Sequence, residues 1–306
     1  MHQRRLGRAG LEVSEGGYGA WGIGNSGWIG AEDDESLRAL DRAIDLGLNF
    51  IDTALMYGDG HSERLVGRTV RGRSETVYVA SKIPPKTLEW PGDPASSASE
   101  TFPGDWVREC TEKRLEMQQF HVWHDDWLEQ GDWRETVEAL KAEGKIGAFG
   151  VSINDHPPDT ALALVRSGVV DTVQVIYNVF DQSPEDELFD AVREHDVGVL
   201  VRVPLDEGGL TGRIGPDSTF PDQDFRNTYF AGDRKREVRE RVDAIERDLG
   251  IGDEEIVASA LRYHLSSGMR SVRNVEANLA VADGRGLSAE QVERLRAHRW
   301  VRDFYC

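Results

Sequence analysis

Apolar positions along the chain follow two alternating rhythms. Short strand-like runs rich in apolar residues occur at Leu48–Ala54, Val77–Lys82, Gln118–Trp123, Ile146–Ile153, Thr172–Tyr177 and Val197–Val203. With a less regular run at Gly16–Gly22 they make seven candidate strands, and continuous apolar content predicts strands covered on both faces. Between them, apolar residues recur three and four apart, the spacing of one helix face. The first such helix opens at Asp33 or Asp34, lines one face with Leu37, Leu40, Ile44 and Leu48, and closes at Gly47. Ser62 is placed to cap a second, with Leu65, Val66 and Val70 on one side. Further helices are predicted over Trp106–Met117, Trp133–Glu143, Pro158–Ser167, Pro184–His195, Lys235–Leu249 and Glu254–Ser266. Gln3–Ser14 reads as a hairpin turning at Gly7–Gly10. Thr87–Gly104 and Gly215–Asp233, rich in Pro, Asp, Ser and Gly, read as long loops.

Buried strands that alternate with helices imply a parallel sheet covered by helices. The G-x-G-x-x-G match at Gly17–Gly22 lies within the first strand-like run and does not turn directly into a helix, which opens only at Asp33 or Asp34; that placement argues against a dinucleotide-binding open sheet. The pattern predicts an α/β fold, one (β/α)8 TIM-type barrel over residues 1–306 with an N-terminal β-hairpin. Barrels of this kind carry their chemistry at the C-terminal ends of the strands. That rule selects Asp52, Tyr57, Lys82, His121, Ser152, Asn154, Gln174, Asn178 and Arg202.

Composition narrows the picture. The net charge of −19 repels phosphate, so nucleic acid and anionic membrane are not expected partners. No run reaches the ~18–20 apolar residues of a membrane span, and the charged N-terminus has no apolar stretch behind it. Cys110 and Cys306 supply neither metal-ligand spacing nor a disulfide framework. A reduced, cytoplasmic setting is expected. Only six of the 36 cations are Lys, so Lys82 on an apolar strand is conspicuous.

Asp52, Tyr57, Lys82 and His121 make a chemically coherent set. Reduction of a carbonyl needs an acid to protonate the developing alkoxide, and a phenol is a weak acid, with a reference pKa of ~10. An ammonium beside it favours the phenolate, a carboxylate keeps that ammonium charged, and an imidazole can orient the substrate oxygen. Each residue alone is explained by packing or loop capping; four on three successive strand ends are not. The run HVWHDDW also offers His121, His124, Asp125 and Asp126 as metal ligands, but neighbouring strand residues face opposite ways and no metal is expected. Trp21, Trp28 and Trp123 are candidate walls of an apolar substrate pocket.

The segments GYGAWGIG, NFIDTALMYGDGHSERLVGR, VYVASK, QQFHVW, GVSIND, VQVIYNVFDQ, VPLDEGGLTG and GMRSVRNVEANLAV together resemble the aldo-keto reductase family, in its order and across nearly the whole chain. The resemblance implies that Asp52, Tyr57, Lys82 and His121 form a catalytic tetrad and that the cofactor is NADP(H). It implies that Ser152, Asn154 and Gln174 grip the nicotinamide carboxamide, and that Arg202 stacks where the family often has Tyr. Ile153 separates Ser152 from Asn154, a departure from the usual adjacent pair. Pro204, Leu205, Gly209 and Thr211 fall in the segment that resembles a pyrophosphate strap. Gly268, Arg270, Ser271 and Asn274 fall in the segment that resembles the 2′-phosphate site, and Asn278 would meet adenine. Arg270 and Arg273 favour NADP over NAD by phosphate pairing. The implied activity is reduction of an aldehyde or ketone, or the reverse oxidation of an alcohol, with a catalytically weak NADP(H)-binding regulatory protein as the alternative.

Two stretches fall short of the family pattern. Helix TEKRLEM runs directly into QQFHVW, as if about eight residues were missing, and only Ser266-Ser267-Gly268 stands where the last barrel strand belongs. Strands four and eight are therefore expected to be shortened or lacking, leaving strand edges open and part of the core facing water.

Overall fold

A computed structural model describes residues 1–111, 115–264, 267–268, 271–300 and 302–305. The N-terminal hairpin pairs β1 (Gln3–Leu6) with β2 (Leu11–Ser14), and Gly10 closes its turn at φ 68°, a left-handed conformation that suits a residue without Cβ. Eight parallel strands then share one sheet: β3 (Tyr18–Gly19), β4 (Phe50–Asp52), β5 (Tyr78–Ile83), β6 (Leu115–Phe120), β7 (Ile146–Ser152), β8 (Thr172–Ile176), β9 (Gly198–Arg202) and β10 (Ser267–Gly268). Neighbours pair in chain order and β10 pairs back onto β3, which is the ring order of a (β/α)8 barrel.

Helices α1 (Asp33–Asp45), α2 (His61–Arg71), α3 (Ala98–Thr101), α4 (Gly104–Cys110), α5 (Trp133–Ala142) and α6 (Leu162–Ser167) accompany the first five barrel strands. They are followed by α7 (Leu188–Glu194), α8 (Arg226–Tyr229), α9 (Arg234–Leu249), α10 (Asp253–His264), α11 (Val272–Leu279) and α12 (Ala289–Arg296). Both expected long loops contain a short helix, α3 and α8. Two expected caps differ. Asp33 and Ser62 lie inside their helices, behind Glu32 and Gly60, and the Ser62 hydroxyl instead binds Thr53 and the Ala20 carbonyl.

Strand parity sorts the side chains into two environments. Ile51, Ile83, Phe120, Phe149, Val151, Val173 and Val175 pack outward against the helices. Phe50, Ala80, Met117 and Ala148 face inward and, with Leu6 and Val13 of the hairpin, plug the N-terminal end of the barrel. Two residues further along the same inward faces come Asp52, Lys82, Gln119 and, four beyond Ala148, Ser152. The barrel interior is therefore apolar at its base and polar at its mouth.

The expected loss of strand four is corrected by the structure. β6 is six residues long and pairs with both neighbours, Lys82 opposite Gln119 and Gln119 opposite Gly150. It starts at Leu115, so Leu115–Met117, predicted as helix, is strand, and the missing length comes out of the preceding helix, which ends at Cys110. The described part of strand eight, β10, is Ser267–Gly268, and residues 265–266 and 269–270 on either side of it lie outside the described residues. Among the described residues no ladder joins β9 to β10. Val199, Leu200 and Val201 of β9 are only half-buried, whereas every residue of β8 is buried.

Candidate active site

The strand ends bring three of the four expected residues into direct contact. Lys82 Nζ, with its side chain fully buried, donates to Asp52 Oδ2 at 2.6 Å and to the Thr53 carbonyl at 2.9 Å, and reaches the Tyr57 hydroxyl at 3.4 Å. Removing one member of such a buried pair leaves the other charge uncompensated, at a cost on the order of 3–5 kcal/mol. Gln119 Nε2 holds the other Asp52 oxygen at 3.2 Å. Gln119 was not among the residues picked from the sequence; a glutamine inside an apolar strand was the signal. His121 follows β6 directly, edge-on to the Tyr57 ring with centroids 5.7 Å apart. Tyr57 is stacked on its other side by Trp21 at 6.1 Å.

Electrostatics sets the charge of each group. Burial pulls the Lys82 ammonium down, but Asp52 and Tyr57 more than offset it, so its pKa is raised and it stays charged. Burial raises the Tyr57 phenol and outweighs the lowering by Lys82, so the phenol is protonated at neutral pH rather than tilted toward phenolate. Burial, then Lys82 and Arg202, push His121 well below the usual imidazole range, leaving it neutral. A neutral imidazole and a protonated phenol are both hydrogen-bond donors to an oxygen placed between them.

The residues expected to hold a cofactor divide. Ser152 and Gln174 face each other in register on β7 and β8, both buried at the barrel mouth. Asn154 does not stand with them as a free amide: its Oδ1 accepts from Gly92 N at 3.0 Å and its Nδ2 donates to Gly92 O at 2.9 Å. Asn178 also serves the fold, bonding the Val203 carbonyl and the Phe180 and Asp181 amides. Arg202 ends β9 and bonds Asp155 at 2.6 Å and the Ile153 carbonyl at 3.1 Å. Pro204, Leu205 and Thr211 line the cleft, with Gly208 at φ 104° between them. Gly209 is buried below, where a Cβ would stand 2.3 Å from Asp206 Oδ2.

Ser271 caps α11, its hydroxyl accepting from Asn274 N at 3.4 Å, and Asn274 lines the cleft while Asn278 is buried. Gly268 lies in β10. Arg270 lies outside the described residues. One acid has arrived unannounced: Glu35 of α1 accepts from Val272 N, the first amide of α11, at 3.0 Å, and this bond holds its carboxyl below the usual range.

A cleft of about 2270 Å³ opens at the barrel mouth, more than twice the ~1,000 Å³ upper end for ordinary ligand pockets. Tyr57 and His121 line it, and so do Tyr18, Gly19, Val199–Val203, Arg4 and Arg5. Trp21 and Trp28 line it as expected, their rings 6.1 Å apart. Trp123 does not: it is fully buried against Phe120, Trp127 and Trp133, because the chain after β6 turns it into the helix layer. Its place is taken by Trp90, 4.6 Å from His121, from a loop where an aromatic residue among Pro, Gly and Asp was the overlooked signal. Glu207 and Tyr305 also face the cleft, bonded to each other. Asp125, weighed above as a metal ligand, instead accepts from Trp123 Nε1 and the Ala163 and Leu164 amides. Among the described residues no helix is long and apolar enough to cross a membrane.

Comparison with known proteins gives a consistent result. Residues 17–299 match the model of the Aldo/keto reductase family. The oxidoreductase YqkF of Bacillus subtilis is 25% identical over 97% of this chain and 96% of its own. Among solved structures, the holo form of aldo-keto reductase AKR11C1 from Bacillus halodurans superposes with a TM-score of 0.76 at 24% identity, covering 98% of this chain and 96% of that one. An aldo/keto reductase from Klebsiella pneumoniae in complex with NADP and acetate is 25% identical, with a TM-score of 0.66 over 98% and 96% of the two chains.

Proposed function

The chain belongs to the aldo/keto reductase family, and from that membership we propose that it reduces an aldehyde or ketone with NADPH, Tyr57 giving the proton, and runs in reverse as an alcohol dehydrogenase. The observation that carries this reading is the 3.4 Å approach of a half-buried, protonated phenol to a charged Lys82 that Asp52 holds in place.

The residues present fit a dinucleotide. Ser152 and Gln174 offer a hydroxyl and an amide at the polar mouth, matched to a carboxamide. The Pro204–Thr211 loop brings backbone to the cleft, and the Ser271 hydroxyl at the start of α11 can donate to a phosphate, while the Val272 amide is taken by Glu35. The bound NADP and NADPH of the Klebsiella pneumoniae relatives support the choice of cofactor.

The bound cofactor supplies hydride to the carbonyl carbon. Tyr57 and the neutral His121 donate hydrogen bonds to the carbonyl oxygen, and Tyr57 passes it a proton as negative charge develops. Lys82, kept cationic by Asp52 and positioned further by the Thr53 carbonyl, then stabilises the phenolate that remains. Gln119 keeps Asp52 from turning away. Trp21, Trp28 and Trp90 shield the reacting atoms from water.

NADPH fluorescence titration followed by an NADPH-oxidation assay over aldehydes and ketones, at low and high salt, tests the proposal. Binding with carbonyl-dependent oxidation is expected. Binding without oxidation of NADPH by any carbonyl overturns the enzyme reading in favour of a cofactor-binding regulatory protein.

A further inference from the structure

Asn154 is 7% exposed and its whole side-chain amide is used on one residue, Gly92. The two hydrogen bonds, 3.0 Å from Gly92 N–H to Oδ1 and 2.9 Å from Nδ2 to Gly92 C=O, satisfy both backbone groups of a buried glycine as a strand neighbour would. Gly92 leaves no room for another arrangement: a Cβ there would meet Trp127 at 2.9 Å and Asn154 at 3.2 Å.

The loop that carries Gly92 is tied at both ends. Trp106 Nε1 donates to the Pro84 carbonyl at 2.9 Å, Lys86 N to the Thr101 carbonyl at 2.9 Å and Trp127 Nε1 to the Ser96 carbonyl at 2.8 Å. Its tip is not held by packing, since Leu88 is 66% and Trp90 46% exposed. Among the described residues, Asn154 is the one side chain from outside the loop that hydrogen-bonds residues 88–92. Trp90 nonetheless stands edge-on to His121, with ring centroids 4.6 Å apart, and both line the cleft.

We infer that Asn154 is a positioning residue for this loop: its amide sets Trp90 against His121, so that it shapes the wall against which a carbonyl with a bulky apolar substituent rests, and its partner is Gly92 rather than the nicotinamide. The part that concerns substrate rests on the reductase reading above; the part that concerns the loop does not. Asn154 lies beyond β7, which ends at Ser152, with Ile153 between them buried in the outer core, and its amide is taken up by the loop.

Asn154→Ala, Asn154→Asp, Trp90→Ala and the Asn154→Ala/Trp90→Ala double variant test this with three readouts on the full chain. Trypsin cleavage after Lys86 should be at least about tenfold faster in Asn154→Ala than in the parent, since losing two buried bonds frees the tip. Asn154→Asp, which keeps the acceptor but sets a carboxylate against the Gly92 carbonyl, should fall between. NADPH affinity by fluorescence titration should stay within about twofold. KM for benzaldehyde should rise about tenfold, KM for methylglyoxal should rise less, and Trp90→Ala should reproduce the pattern without adding to Asn154→Ala in the double variant. A tenfold weaker NADPH affinity with unchanged proteolysis overturns the inference and returns Asn154 to the carboxamide; additive KM effects overturn the link to Trp90. If Asn154→Ala does not fold, the Asp variant and the exposed Trp90 carry the same comparisons. A parent that oxidises no NADPH with any carbonyl sinks the reductase reading, while proteolysis and NADPH affinity still decide the role of Asn154.

Discussion

Glu207 and Tyr57 meet the same force with different results. Burial raises both pKa values; the phenol simply remains the neutral acid it is in water, whereas the Glu207 carboxyl is pushed up to about 7 even though the Tyr305 hydroxyl donates to it. Between its ordinary value of 4.5 and about 7 the unfolded chain has released this proton and the native chain has kept it. Folding stability therefore falls as pH rises through that window and stays lower above it, by at most about 3 kcal/mol. Glu207→Gln should flatten this fall, so that its melting temperature declines less than the parent's from pH 5 to pH 8; parallel profiles would count against a buried, raised Glu207. The residue-level chemistry was legible where charge stands in an apolar strand, as with Asp52 and Lys82. It was not legible for Trp123 or Asn154, because both lie beyond the ends of their strands, where alternation no longer says which way a side chain turns.

Elements were predicted most accurately where apolar period and a terminating glycine agree. The helix ending at Gly168, left-handed at φ 77°, is such a case. The boundary between α4 and β6 was misread because Leu115–Met117 continues a helical pattern when taken alone; the pairing of Met117 with Ala80 and Ala148 makes it strand. What looked like a deleted strand is a shortened helix, the cheaper loss, since the ring of strands is kept intact there. The contact between α1 and α11 could not be foreseen, as it joins residues 237 positions apart: Glu35 accepts from Val272 N at the helix start where a 2′-phosphate would be received. A carboxylate there stabilises the helix end and opposes a second anion. Glu35→Gln should tighten NADPH about two- to fivefold relative to NADH in fluorescence titrations at low ionic strength, from the ~0.3–1 kcal/mol of a charge at a helix end. An unchanged NADPH-to-NADH ratio would remove Glu35 from cofactor selection.

At the scale of the whole molecule, the ring of parallel strands does two things at once. Its inward faces are apolar at the base and polar at the mouth, so the groups that react are assembled on rigid strand ends above a packed plug. Ser267–Gly268 pairs with β3, much of β9 is half-buried, and the lining of the cleft reaches the hairpin. The barrel was readable from the spacing of apolar runs; the reach of the cleft from the mouth to the hairpin was not, because it depends on how the strands stand in space. The central claim is that Tyr57, next to Lys82, is the acid that protonates the substrate. It is tested most directly by carbonyl-dependent NADPH oxidation in Tyr57→Phe, with NADPH affinity measured on the same preparation. The expected result is a rate about 10²–10⁴-fold below the parent with affinity within about twofold; turnover within tenfold of the parent would contradict it.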